Sequence, residues 1–311
     1  MRWWLCILAI VLAVLGFVLW LGWGRSGQWA EVTGWSQLST EERAWAQQGA
    51  TDYLKLENAP HLEWLGHATL QVEWGGLSLL TDPVNSGRVK VAPRLFAEPV
   101  LIDSEPVDAI LISHAHMDHL DNATLARLPS TRLYLPAGSE RFLTDAVRAR
   151  HEVVPVQLWE PLRLGALEII PVPAANGGWR YPWQRGLFAC GYVVRQGEAS
   201  LYVAGDTAAG APFAEIRSKY APRYAVLPIG AYSPEWFLRC RHLNPEEALD
   251  VAAALGAEYV IPYHFGTFRL SLEPVDEPLR RFAQAALSRE QKWFLRLQGL
   301  HLTQSLSLSK W

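Results

Sequence analysis

The segment His114-Ala115-His116-Met117-Asp118-His119 puts three histidines and an aspartate into six consecutive residues. Such a set is expensive to pack into a core, because every imidazole and the carboxylate must find a partner or a charge. A divalent cation answers all of them at once, so the chemistry it points to is metal binding; the competing reading is a solvated polar turn. The apolar run at 108–113 reads as a buried strand, and His114 begins where that run stops. From an extended end His114 and His116 point to one side. Asp118 and His119 fall in the turn that follows and can address a second position.

Positioning these residues requires a layered α/β domain. Short strand-like runs at 62–66, 69–74, 77–80 and 109–112 come first. Helical patterns then alternate with strands, at 139–148 against 152–156 and at 244–255 against 259–262. Asn244-Pro245-Glu246-Glu247 is a strong helix start, with a capping asparagine, proline at the first helical position and acids near the positive end of the dipole. Early hairpins followed by strands and helices suggest layers around two sheets.

The totals narrow the function. The chain has 311 residues, 50% of them hydrophobic, and a formal charge of −3. That charge gives no basic surface for counterion release, so nucleic acid is not expected as a partner. Cys6, Cys190 and Cys240 form neither a disulfide framework nor a zinc ribbon. Residues 3–23 carry no charge, are bracketed by Arg2 and Arg25, and have Trp3, Trp4, Trp20 and Trp23 at their two ends. As a helix rising about 1.5 Å per residue this run spans roughly 30 Å, a bilayer's hydrocarbon core. Tryptophan favours the bilayer edge, and no Ala-x-Ala step follows. The run is therefore expected to be a retained transmembrane anchor rather than a cleaved signal. Two positive groups on the amino-terminal flank favour placing the large domain on the non-cytoplasmic side. The expected organisation is an anchor at 1–24, a stalk and lead-in at 25–59 with a short helix after the capping box Ser39-Thr40-Glu41-Glu42, and one large domain carrying the metal-binding segment at 60–311.

The run His114 to His119 resembles the H-x-H-x-D-H signature of the metallo-β-lactamase superfamily. Further matches stand in order: Trp64-Leu65-Gly66-His67-Ala68-Thr69, Thr81-Asp82-Pro83, Gly205-Asp206-Thr207 and Tyr263-His264-Phe265-Gly266-Thr267-Phe268. Within the superfamily the chain looks most like the branch containing N-acyl-phosphatidylethanolamine phospholipase D, with the L-ascorbate-6-phosphate lactonase branch more distant. Tyr232-Ser233-Pro234-Glu235-Trp236-Phe237 and His242-Leu243-Asn244-Pro245-Glu246-Glu247-Ala248 carry that likeness.

The resemblance implies an αββα sandwich with a two-metal cleft at one edge. One metal would take His114 and His116, the other Asp118, His119 and His264, with Asp206 bridging. The implied cofactor is Zn2+, one or two ions, or another divalent metal. Two cations about 3.5–4 Å apart lower the pKa of a shared water towards ~7 and clamp charge on a phosphoryl or carbonyl oxygen. Asp118 would then be both ligand and orienter of the attacking group. His242 is a second catalytic candidate, to bind phosphate or protonate a leaving group, and the alternative for it is a neighbour of the helix cap. His67 is expected to support a ligand rather than to be one.

The pattern breaks at one position. After Pro173-Ala174-Ala175 the family supplies another histidine, and here Asn176 stands in its place; no histidine occurs between His151 and His242. An amide oxygen is a harder and weaker donor for zinc than imidazole. The first site could persist through Asn176 or a displaced histidine, the enzyme could run on the second metal alone, or the site could be degenerate. Trp179 and Arg180, in the run Trp179-Arg180-Tyr181-Pro182-Trp183-Gln184-Arg185, are substrate-binding candidates, since arginine suits phosphate and tryptophan a lipid interface. The alternative is a surface loop packed on its own aromatics. His61, His151 and His301 are expected at the surface or in packing.

The expected function is a membrane-anchored metal-dependent hydrolase, a phosphodiesterase acting on a phospholipid-like substrate. Two alternatives stand beside it: hydrolysis of a lactone or other ester, and a non-catalytic binding protein that keeps the fold. The expected partners are a small-molecule or lipid substrate and the membrane itself. The oligomeric state is not legible.

Overall fold

The computed structural model describes residues 32–95, 106–181 and 183–295. The apolar run at 3–23 and His301 lie outside the described residues. Among the described residues no helix is long and apolar enough to cross a membrane.

Two sheets form the middle of the molecule. The first is ordered β1 (His61–Gly66), β2 (Thr69–Trp74), β3 (Leu77–Thr81), β6 (Ala109–Leu111), β7 (Arg132–Pro136) and β8 (Glu152–Val156). A small hairpin of β4 (Arg88–Val89) and β5 (Ala92–Pro93) stands apart. The second sheet runs from β9 (Leu162–Leu164) through β10 (Leu167–Gly177), β11 (Phe188–Gln196), β12 (Ala199–Val203), β13 (Tyr224–Pro228) and β14 (Tyr259–Tyr263) to β15 (Lys292–Trp293). Each sheet starts as antiparallel hairpins and continues as parallel strands, the first from β3 to β8 and the second from β12 to β15.

Alternation along the first sheet shows how the layers form. Leu79, Ala109, Leu111 and Tyr134 face the second sheet in one large core. Their neighbours Leu80, Ile110, Ile112, Leu133 and Leu135 face the opposite way, onto Leu125 and Val147. This is the period-two pattern of a sheet buried on both faces. Leu125 belongs to the short helix α2 (Asn122–Leu125) and Val147 to α3 (Asp145–Arg150). The outer layer of the second sheet holds α1 (Thr40–Leu54), α4 (Phe213–Tyr220), α6 (Pro245–Leu255) and α7 (Glu277–Ser288), whose buried residues join the large core; α5 (Glu235–Leu238) is exposed. The expected αββα sandwich is therefore present.

Two local expectations are corrected. The helix at 139–148 is split into a 3-10 turn, Ser139–Phe142, and α3, because Thr144 is extended and starts a new helix. The lead-in at 25–59 is not a detached stalk over its described part. Ser39 and Glu42 form the expected capping box, but α1 then runs to Leu54 and buries Ala46, Ala50 and Tyr53. Tyr53 packs edge-on against Tyr224 and Tyr259 of the second sheet. The apolar stripe of α1 is short and rich in alanine, so its burial is weakly signalled in the sequence.

The two sheets are tied where the chemistry lies. Cys190 N–H donates to the Ser113 carbonyl at 2.9 Å, and the Tyr192 hydroxyl donates to the Ile112 carbonyl at 2.8 Å. Gly205 fills the same junction with φ of +63°, and a Cβ there would stand 2.7 Å from Ser113 Cβ and 2.9 Å from the Cys190 carbonyl oxygen. Gly205→Ala is expected to destabilise the fold by about 1–3 kcal/mol through overpacking and a left-handed backbone that only glycine adopts freely. Chemical denaturation checks this, and an unchanged midpoint would contradict it.

Candidate metal centre

The parallel strands deliver their residues at one edge. β3 ends into Asp82, β6 into His114, β12 into Asp206 and β14 into His264. β10 ends at the same side, carrying Asn176. Ligands collect beyond the carboxyl ends of parallel strands in open α/β sheets. Three residues at these ends, His67, Asp82 and His264, take positive φ of 51°, 35° and 61° without being glycine. Such conformations cost of order 1 kcal/mol or more each, and persist where surrounding bonds over-determine them. Here His264 N–H donates to the His67 carbonyl at 2.8 Å, and His67 N–H donates to Thr267 Oγ1 at 2.6 Å.

The side chains converge on Asp206. Its Oδ1 lies 2.9 Å from His264 Nε2, and its Oδ2 lies 3.3 Å from His119 Nε2 and 3.7 Å from His114 Nε2. His114, His116 and Asp206 form one group of donor atoms, all within 4.8 Å of one another. His67, Asp118, His119 and His264 form a second, and Asp206, His242 and His264 a third that overlaps it. His114, His119 and Asp206 side chains are at most 1% exposed, whereas Asp118 and His242 keep 14% and 12%. The cluster thus opens to solvent at Asp118 and His242.

Hydrogen bonds behind the cluster set the ring orientations. Ser113 Oγ–H donates to Asp82 Oδ2 at 2.6 Å, so the same oxygen must accept from His114 Nδ1, 2.9 Å away. His119 Nδ1 faces Asp82 Oδ2 at 2.8 Å. Both rings therefore present Nε2 to the cleft.

Burial pushes the His114 imidazole well below its usual pKa, with His119 and His116 adding to the effect. It lowers His116 as well and drives His67 down to about 3. At His119 burial also opposes the charge, yet Asp206, Asp82 and Asp118 outweigh it and hold the group well above the ordinary value. Burial would raise Asp118 and Asp206, but the surrounding imidazoles keep both carboxyls well below the usual range. Buried carboxylates and several imidazoles crowded on one point call for a shared cation, and His242 Nδ1 is buried with no hydrogen-bond partner. Nitrogen and oxygen donors of this kind fit a divalent metal ion.

Residues 78–265 match the family described as the beta-lactamase superfamily domain. The chain belongs to the metallo-β-lactamase superfamily. An uncharacterized protein of Mycobacterium tuberculosis is 33% identical over 239 residues, covering 72% of this chain and 63% of that one. The chain thus spans under two thirds of that relative's length. N-acyl-phosphatidylethanolamine-hydrolyzing phospholipase D 1 of Caenorhabditis elegans is 31% identical over 244 residues, covering 69% of this chain and 67% of that one. Igni18, a metallo hydrolase from the archaeon Ignicoccus hospitalis, shares the fold with a TM-score of 0.58 at 22% identity, over 78% of this chain and 96% of that one.

Within that superfamily frame, the structure brings together every expected metal ligand: His114, His116, Asp118, His119, Asp206 and His264. His67 joins them with Nε2 at 3.1 Å from Asp118 Oδ2, in position to orient that carboxylate. His242 Nδ1 lies 4.0 Å from Asp206 Oδ2. Trp179 stands edge-on to His116, with ring centroids 4.7 Å apart. Arg180 has a different task from the expected one: its Nη1 donates to the Ala115 and Leu120 carbonyls, at 3.1 and 3.0 Å, and so braces the ligand loop. His151 is buried and faces the Leu125 carbonyl, as a packing residue. Asp82 and Ser113 carry no sequence signal for this supporting role beyond the place of Asp82 in Thr81-Asp82-Pro83 at a strand end. Asp82→Asn is expected to weaken metal affinity about 10–100-fold by loosening His119 and His114. Titration against a competing chelator checks it, and unchanged affinity would show that Asp82 does not orient the ligands.

Proposed function

We propose that this chain hydrolyses the phosphodiester of a phospholipid-like substrate, with Asp118, His119, His264 and Asp206 holding one metal and His114, His116 and Asp206 another. The observation that carries the reading is a cavity of about 360 Å3 bordered by His242 of this cluster and lined by Tyr232, Glu235, Trp236, Arg239, Asn244 and Glu247. That size suits a small-molecule group; Glu247 and Glu235 are engaged by Asn244, and the Arg239 guanidinium with the aromatics suits a phosphate attached to an apolar body. Trp236 and Phe237 at the rim are exposed. The Caenorhabditis elegans relative's activity on a phospholipid supports the same choice. Divalent ions, Zn2+ in our reading, would supply Lewis acidity at a phosphoryl oxygen and make water acidic near neutral pH.

The chain's own residues do the rest. Asp118, with Oδ2 3.1 Å from His67 Nε2, is placed to orient the attacking group by a hydrogen bond at the open side of the cluster. Burial, opposed by Asp206, holds His242 down at about 4. It is therefore neutral at neutral pH, and its part is a hydrogen bond to a phosphoryl or leaving oxygen rather than transfer from a resident imidazolium. Arg239 offers charge to the phosphate.

Assay of metal-loaded protein on glycerophospholipids is expected to show turnover, and His242→Ala to lower kcat about a hundredfold, the scale for one lost transition-state donor. No turnover on any phosphodiester with any divalent metal, beside turnover of lactones, would replace this reading with the ester alternative. The run at 3–23 is proposed to anchor the chain in a bilayer with the domain on the non-cytoplasmic side. The full chain should stay with membranes at alkaline pH; release to the supernatant would refute the anchor.

A further inference from the structure

We infer that Asn176 supplies its amide oxygen to the donor group of His114, His116 and Asp206, making the two metal positions chemically unequal. The register of β10 against β11 shifts between Pro173 and Gly177, a break that re-aims side chains at a strand end. Ala175 is bound on both sides to the turn after Asp206: its N–H donates to Thr207 Oγ1 at 3.0 Å, and its carbonyl accepts from Ala208 N–H at 3.2 Å. Asn176 therefore leaves this turn beside the shared carboxylate. Its Nδ2 donates to the Arg241 carbonyl at 3.3 Å. A carbonyl only accepts, so this bond fixes which way the amide points and leaves Oδ1 on the other side. Oδ1 is buried and has no hydrogen-bond partner. A buried acceptor left unmade is costly, and sites that keep one have a use for it. Three residues further on, Trp179 closes on His116, and the Arg241 guanidinium lies over Trp179. The chain is thereby tied to the turn after Asp206 at Ala175 and to His116 at Trp179, on either side of Asn176 in sequence.

The donor sets then differ in charge and hardness. One position has two imidazoles, the carboxylate of Asp118 and a share of Asp206. The other has two imidazoles, a share of Asp206 and a neutral amide oxygen. A neutral, hard donor in place of imidazole weakens zinc and narrows the preference for zinc over an oxygen-seeking ion such as Mn2+. This rests on the two-position metal reading and not on the phospholipid substrate.

The test is calorimetric titration of the chelator-stripped full chain with Zn2+ and, separately, Mn2+, with elemental analysis of the bound ions. The chain is expected to take two ions in two resolved steps, the weaker one with the smaller ratio of zinc to manganese affinity. Asn176→Ala should abolish the weaker step and keep the tighter one. Asn176→His should tighten zinc in the weaker step at least about tenfold, the scale on which changes around a metal ligand act. A single step in the unaltered chain, two equal steps, or a weaker step unmoved in Asn176→Ala would overturn the assignment. If Asn176→Ala does not fold, an unmoved zinc affinity in Asn176→His overturns it equally. Turnover is not read, so failure of the phospholipid reading leaves this test standing.

Discussion

Asp206 is a carboxylate almost wholly withdrawn from water, with histidines from both halves of the molecule around it. An isolated charge in such a place is prohibitively expensive, and only paired charge or a coordinated metal makes it tolerable. The partners come from different sheets. His114 and His119 follow the end of β6 in the first, while Asp206 and His264 follow β12 and β14 in the second. The candidate metal centre is therefore also a clasp between the sheets, and the bonds from Cys190 and Tyr192 to the end of the first sheet hold its two jaws in register. Stability and chemistry share one set of atoms at this edge.

The strand directions make that arrangement available. Parallel strands present all their carboxyl ends on one side, so one edge of the sandwich collects side chains from segments nearly two hundred positions apart. Left-handed turns at His67, Asp82 and His264 then bend the chain sharply enough to aim short side chains inwards. Asp82 does more than fill a turn. It accepts from Ser113 N–H at 2.7 Å and from the Ser113 hydroxyl, and through that hydroxyl it reaches His114 while bonding His119 directly. One carboxylate thus sets the orientation of a ligand in each of the two donor groups, as metal-ligating histidines commonly require.

What could be read from the chain follows from how local each signal is. The cluster from His114 to His119 is dense and sits at the end of an apolar run, so both its chemistry and its place on a strand end are visible at once. Asp206 and His264 are single residues after apolar strands, and only their order along a recognisable family pattern distinguishes them from ordinary turn residues. Asp82 and Ser113 act through bonds across 31 positions, which no spacing rule reports. Arg180 looks like a phosphate ligand because arginine often is one, but its guanidinium meets two backbone carbonyls of a loop about sixty residues away. The docking of the lead-in helix is faint in sequence for another reason: Ala46 and Ala50 make a narrow apolar stripe, and Tyr53, the residue that docks it, reads equally well as an exposed amphipathic side chain.

The loop after Asn176 ties the mouth of the cleft to its floor. Arg180 braces the carbonyls of Ala115 and Leu120, which flank the run from His116 to His119. Trp179 rests on His116, Arg241 covers Trp179, and the Arg241 carbonyl holds Asn176. His242, the next residue, borders the cavity proposed for the substrate. Groups that would touch a substrate are thus one covalent step from groups that position the first metal. Packed contacts of this kind shift between discrete arrangements rather than deform smoothly. The group of His114, His116 and Asp206 is reached from the cavity by this chain of contacts through Arg241, Trp179 and Asn176. The group of Asp118, His119 and His264, backed by Asp82, His67 and Thr267, meets the same cavity more directly, through His242, whose ring lies 5.8 Å from that of His264.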